Sequence, residues 1–229
     1  RTLRICDEMF LLNRKYYSPL CKKLSDKGYG DLLNMWAYSR VDTVRNQEDL
    51  ELLRAAGIRW LALGIESGDR TVRLEAAKGK FHEVDIQEVI KQIEDADINV
   101  IANYLFGLPG DDHESMTATV SLALQLCTVA WNGYPVMALP GSPIYKEAIA
   151  RGTNVPDAYE AYSFLGYDAE PLPTANLASS DILSFRDSAF MTYHTDKRFL
   201  TKVKDRLGEK AVVNIKELTK VGLKRKLLA

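Results

Sequence analysis

Five short polar signatures recur along the 229-residue chain, each beside an apolar run: Asp7-Glu8, Arg40-Val41-Asp42, Gly64-Ile65-Glu66-Ser67, Gly107-Leu108-Pro109-Gly110 and Pro140-Gly141-Ser142-Pro143. Their residue types suit one kind of ligand. Glu8 is a carboxylate able to accept hydrogen bonds from an ammonium group. Arg40 offers a rigid fork of donors to a carboxylate or phosphate. Glu66 and Ser67 bring acceptors and a hydroxyl suited to the vicinal diol of a ribose. Gly107 and Gly110 let a ligand approach the backbone, and Pro109 stiffens the turn between them. Pro140-Gly141-Ser142-Pro143 is a rigid turn whose backbone is suited to edge an adenine ring. Together the set fits a zwitterionic nucleoside, with amino acid, sugar and base in that order.

Each signature also has a plainer reading. Glu8 can cap the segment that follows it, and Arg40 with Asp42 can be a surface ion pair worth little. Gly-Leu-Pro-Gly and Pro-Gly-Ser-Pro are turn chemistry found in any α/β protein. Glu66 is the sharpest signal, because a carboxylate directly after a buried strand costs free energy unless it meets a partner.

The elements that must position these residues follow from periodicity and capping. Leu3 to Cys6 predicts a short strand, and Ser18 to Lys27 a helix stopped by Gly28 and Gly30. Leu32 to Tyr38 predicts the next strand. Asn46 caps a helix over Gln47 to Ala56, ended by Gly57. Ile58 to Leu63 is apolar enough for a strand covered on both faces. Val84, Ile86, Val89, Ile90 and Ile93 recur at helical spacing. Ile98 to Phe106 predicts a strand, and Asp111 with Glu114 an N-terminal cap for a helix over Ser115 to Cys127. Tyr134 to Leu139 predicts the last strand, and Ser142 to Ala150 the last helix of the series.

This alternation of strand and helix implies parallel neighbours joined by right-handed crossovers. It stops after about five strands, well short of the roughly 250 residues of a complete barrel. The fold class expected is α/β, a partial (β/α) barrel over residues 1–151. A doubly wound sheet is the alternative, disfavoured because no G-x-G-x-x-G fingerprint is present. Both architectures place their sites at the C-terminal ends of strands, where the signatures lie. Residues 152–229 read as a loop-rich and helical extension, with helices over Ser180 to Tyr193, Lys197 to Leu207 and Glu209 to Leu227.

Composition excludes several classes. Lys and Arg number 30 against 31 Asp and Glu, a net charge of -1 that gives no reason to expect a polyanionic partner. The C-terminal run Lys216, Lys220, Lys224, Arg225 and Lys226 reads as a solvated helix face, since it lacks the interleaved aromatics of a nucleic-acid groove. Cys6, Cys21 and Cys127 are far apart and have no metal-ligand spacing, which argues against disulfides or zinc and for a reducing cytoplasm. No apolar run approaches the ~20 residues of a membrane span. His82, His113 and His194 read as ordinary surface residues, and Trp36 and Trp60 as core filling. The abrupt start at Arg1 suggests a piece of a longer protein.

Taken in order, Asp7-Glu8-Met9-Phe10, Tyr38-Ser39-Arg40-Val41-Asp42, Leu63-Gly64-Ile65-Glu66-Ser67-Gly68, Phe106-Gly107-Leu108-Pro109-Gly110-Asp111 and Leu139-Pro140-Gly141-Ser142-Pro143-Ile144-Tyr145 resemble the radical S-adenosylmethionine superfamily. The likeness is to the subgroup that carries a cobalamin-binding domain ahead of the barrel. The resemblance implies reductive cleavage of S-adenosylmethionine at a 4Fe–4S cluster, yielding a 5′-deoxyadenosyl radical. It also implies that Glu8 holds the methionine amino group, that Arg40 pairs with the methionine carboxylate, and that Glu66 and Ser67 serve the ribose and methionine portions. Gly107 to Gly110 and Leu139 to Gly141 then flank the nucleoside.

One departure stands out. The family's CxxxCxxC is missing, so the cluster strand and any cobalamin domain are expected upstream and this stretch alone is expected to be inactive. The substrate implied is a small molecule or a modified biomolecule. Removal of the first strand would leave the Leu3 to Cys6 edge exposed, which favours a homo-oligomer. Two readings stay open beside this one: a non-catalytic scaffold or docking module, and a different α/β-barrel enzyme using Glu66 as general base.

Overall fold

A computed structural model describes residues 1–76 and 83–229; His82 lies outside the described residues. Five parallel strands form one sheet in the order β1-β2-β3-β4-β5, a half-barrel. The strands are β1 (Thr2–Arg4), β2 (Asn34–Arg40), β3 (Ile58–Glu66), β4 (Asn99–Phe106) and β5 (Ala130–Pro135). Between them run α1 (Arg14–Asp26), α2 (Gln47–Ala55), α3 (Arg70–Ala76), α4 (Ile86–Asp95) and α5 (His113–Leu126). After β5 come α6 (Pro143–Ala150), α7 (Ser179–His194), α8 (Lys197–Leu207) and α9 (Glu209–Leu218). The partial (β/α) barrel expected from the alternation of elements is the fold observed.

The chain clusters into two compact units. Among the described residues, the first comprises 1–66, 83–103 and 126–132, and the second the rest. In the first, β1 pairs with β2 and β2 with β3, both in parallel. Leu50 and Leu53 of α2, Ile90 and Ile93 of α4, and Leu61 and Leu63 of β3 are buried there. Asp49 of α2, 2% exposed, joins α1 to α2 by accepting from Arg14 Nε at 2.7 Å and from the Tyr17 hydroxyl at 2.9 Å. Burial, reinforced by that carboxylate, pushes the Tyr17 phenol up to about 12.

Local chemistry explains where elements begin and end. Asn46 and Ser142 cap α2 and α6, accepting from Asp49 N and Tyr145 N. Asn13 opens α1 by accepting from Lys15 N, four residues before the internal Pro19. The helix thus begins four residues before the expected Ser18 and runs through a proline, which ordinarily disfavours a helix interior. In α5 the capping residue is Asp112 rather than Asp111: Asp112 Oδ1 accepts from Ser115 N at 2.9 Å, and Ser115 Oγ accepts from Asp112 N at 3.0 Å.

The last strand lies earlier than Tyr134 to Leu139, over Ala130–Pro135. Asn132-Gly133 has the look of a turn, but Asn132 donates to Asn103 Oδ1 at 2.9 Å and Asn103 to the Leu63 carbonyl at 3.1 Å. A side-chain ladder thus holds an asparagine inside a strand. The C-terminal helix expected to reach Leu227 stops at Leu218.

In the second unit, Arg225 is 4% exposed instead of lying on a solvated face. It grips Asp187 of α7 with two hydrogen bonds of 2.8 Å and donates to the carbonyls of Phe164 and Gly166. His194 also departs from expectation. Its ring stacks on Phe190 with centroids 4.1 Å apart, Nδ1 lies 2.8 Å from the Phe190 carbonyl oxygen, and burial lowers its pKa.

Candidate functional site

Parallel pairing sets Arg40 opposite Gly64, Trp36 opposite Trp60 and Tyr38 opposite Ala62. Alternation along a strand then puts Trp36, Tyr38 and Arg40 of β2 on one face with Gly64 and Glu66 of β3. Glu66 closes β3 with φ 69°, a left-handed conformation that is costly for a side chain with a β-carbon. Strained backbone of this kind concentrates at ligand sites. The carboxylate folds back along the sheet: a β-carbon on Gly64 would stand 2.5 Å from Glu66 Oε1 and 3.7 Å from Arg40 Cγ. Gly64 is therefore the floor on which the Glu66 carboxyl rests. Burial raises the Glu66 pKa, and the Arg40 charge opposes the rise.

Arg40 is oriented from behind. Its Nε and Nη2 donate to the two oxygens of Asp42 at 2.8 and 2.7 Å, and the Asp42 side chain is fully buried. The pair is thus no loose surface contact; its geometry is the bidentate fork. Those hydrogen bonds raise the Arg40 pKa further. A single helical turn, Val41–Thr43, carries Asp42, and Thr43 Oγ1 secures it by donating to the Arg40 carbonyl at 2.6 Å.

Glu8 lies in an exposed turn beyond β1, where the neighbouring Asp7 Oδ1 accepts from Met9 N at 2.9 Å. Ser67 is fully buried in the second unit. Its hydroxyl accepts from Asp69 N at 3.1 Å and lies 3.2 Å from Thr119 Oγ1, while Thr119 Oγ1 accepts from Gly68 N at 2.8 Å. Ser67 and Gly68 are thereby pinned to α5.

Gly107 has φ 82°, and a β-carbon there would meet Ile182 Cδ1 of α7 at 2.7 Å. Side-chain packing therefore needs the glycine as much as any ligand would. The turn itself is held by Asp111, 1% exposed, which accepts from Gly107 N, Leu108 N and Ser115 Oγ at 3.0, 2.8 and 2.6 Å. Gly107 and Pro109 line a cavity of about 340 Å³ with Ile144, Ala148, Leu172 and Thr174. Leu139 and Pro140 are exposed and lie four and five residues past the end of β5.

Sequence reasoning took Trp36 and Trp60 for core filling, although both are half-buried, and missed Tyr38, Asn103 and Asn132. Trp36 and Tyr38 are half-buried on the Glu66 face, not in the core. Their spacing of two on a strand was the available signal.

The cysteines do not suit a cluster. Cys6 is exposed, and Cys21 is buried in α1 with its thiol pushed up to about 12 by burial. No group of three or more His, Cys, Asp or Glu able to hold a metal occurs among the described residues. No described helix is long and apolar enough to cross a membrane.

A partial barrel with a half-buried carboxylate at a strand tip is an α/β architecture of the kind that carries its sites at strand C-termini. No protein-family model matches the sequence. Over 151 residues, 62% of the chain, it is 25% identical to the anaerobic magnesium-protoporphyrin IX monomethyl ester cyclase of Cereibacter sphaeroides. The match spans 23% of that relative, so the chain corresponds to about a quarter of its length. The fold resembles the radical S-adenosylmethionine methyltransferase TsrM of Kitasatospora setae. Against TsrM with cobalamin and a 4Fe–4S cluster bound, the TM-score is 0.59 at 20% identity, covering 69% of this chain and 30% of that one. Against TsrM with tryptophan and the analogue aza-SAM bound, it is 0.52 at 21% identity, covering 58% and 26%.

Proposed function

We propose that this chain is part of a radical S-adenosylmethionine enzyme and supplies the strand tips that hold S-adenosylmethionine. The observation that carries the reading is Glu66: a carboxylate in strained backbone, seated over Gly64 and facing the Arg40 charge. Glu66 would accept from the ribose hydroxyls, Arg40 would hold the methionine carboxylate, and Glu8 would accept from its ammonium group. Ser67 acts as a positioning residue through Thr119. Together with a reduced 4Fe–4S cluster, bound S-adenosylmethionine supplies radical initiation. The cluster's thiolates are not among the cysteines of this chain, and they are sought in the wider polypeptide, as is the cobalamin domain of the subgroup. The substrate is a small molecule or modified biomolecule, and the compartment is the cytoplasm.

Equilibrium dialysis with S-adenosylhomocysteine against the polypeptide of the whole reading frame tests this. Saturable binding is expected, weakened about tenfold or more in Glu66→Ala by the loss of hydrogen bonds to a charged group. Absence of binding, or a reading frame without CxxxCxxC, would overturn it in favour of a scaffold. The raised Glu66 pKa favours one second reading, a different α/β-barrel enzyme in which Glu66 is the general base. In that case Glu66→Gln would abolish turnover of an anionic substrate, and the anaerobically purified protein would contain no iron or sulfide.

A further inference from the structure

The Glu66 face of the sheet carries two hydrogen-bond donors that the proposed function leaves unused. Arg4 pairs in register with Trp36 on the next strand, so both side chains share that face. The rings of Trp36 and Tyr38 lie 5.3 Å apart at 37°. The Arg4 guanidinium sits over both, its Cζ 5.4 Å from the Trp36 centroid and 5.0 Å from that of Tyr38. Two aromatic rings therefore hold the guanidinium in place. Among the described residues Arg4 meets no carboxylate, and the buried Trp36 Nε1–H has no acceptor. A buried donor without an acceptor is destabilising, and an acceptor brought by a ligand would recover that loss.

We propose that Arg4 and Trp36 form a subsite for the carboxylate of an organic ligand with an apolar body. A guanidinium stacked on aromatic faces keeps its in-plane N–H edge available, and that edge matches the two oxygens of a carboxylate. A modest shift of Arg4 toward the anion uncovers Trp36 Nε1, which donates to the same group. One cation and one neutral donor balance a monoanion rather than a phosphate dianion. Tyr38, two residues before Arg40, continues the apolar floor toward Glu66. The ligand counts as substrate only if the radical reading holds, and the test below contains no S-adenosylmethionine, so the two ideas fail separately.

The test is a titration of the ¹⁵N-labelled chain with 2-naphthoate, followed through the three tryptophan indole signals, with Trp36 assigned by Trp36→Phe. The Trp36 signal is expected to shift saturably while that of Trp131, buried on β5, stays in place. Arg4→Met should weaken the apparent affinity about tenfold, with the Trp131 signal reporting an intact fold. Arg4→Lys keeps the charge without the fork and should also bind more weakly than the wild type. The proposal is overturned if the Trp36 signal does not move or if 2-naphthylmethanol moves it equally. It is also overturned if inorganic phosphate binds as tightly, or if both Arg4 variants titrate like the wild type.

Discussion

Glu66 Oε1 occupies the space that a side chain on Gly64 would need, 2.5 Å from the position of its β-carbon. The obstacle is the end of a flexible side chain rather than backbone, so it can swing away. Gly64→Ala is therefore expected to change stability by less than about 1 kcal/mol in urea unfolding. It should nonetheless weaken S-adenosylhomocysteine binding about tenfold, because Glu66 is evicted from its seat. Loss of stability with binding intact would show that the seat has no functional role.

Glu66 also sets a pH dependence. Burial raises its pKa in the folded chain, so between the unfolded value and the raised folded value the native state binds the extra proton. Stability then falls as pH rises through that window, and the full penalty is present above the folded pKa. Glu66→Gln should stabilise the chain at pH 7 relative to wild type, and the advantage should shrink as pH drops through the raised folded value toward the ordinary glutamate range. A constant difference from acid to neutral pH, measured by urea unfolding, would contradict the burial argument.

Arg225 reads as one more cation in a basic run, yet it is the anchor of the C-terminal segment. It and Arg186 share the single carboxylate of Asp187, and Arg186 also donates to the Gly133 carbonyl at 2.8 Å. Removing one partner of a buried pair leaves the other uncompensated, so Arg225→Ala should cost about 3–5 kcal/mol. Lys224→Ala, at an exposed neighbour, should stay within about 0.5 kcal/mol. Equal melting temperatures for the two variants would rule out the anchor.

β1 stands at one end of the strand order, and its three residues are exposed. An uncovered edge offers unpaired backbone groups to another chain. We expect self-association through this edge, with apparent mass rising with concentration in light scattering and falling back in Leu3→Lys. A monomer at every concentration would contradict it.

The fold was legible where periodicity and capping agree. Asn46, Ser142 and Gly57 mark their helices correctly, and the apolar β3 needed no context. The failures each have a local cause. Pro19 masks the true start of α1, and Asn132-Gly133 imitates a turn because its compensation, Asn103, lies on another strand. Helix α3 has too short a period to register. At the site, Glu66 and Gly64 stood out as types, but the support of Arg40 by a wholly buried Asp42 depends on pairing that no spacing reveals. Arg4 escaped notice, and Trp36 read as core filling, for the same reason: cross-strand register brings them together.

Gly68 has a consequence for protein engineering. A β-carbon there would run into the main chain at Ala118 and Thr119 of α5, where no side chain can yield. Saturation mutagenesis around the Glu66 loop should leave codon 68 untouched, since every replacement would have to push a helix aside. Gly64 differs in kind: its close obstacle is a carboxyl that can turn away, so the fold accepts a side chain there and only the Glu66 seat is lost.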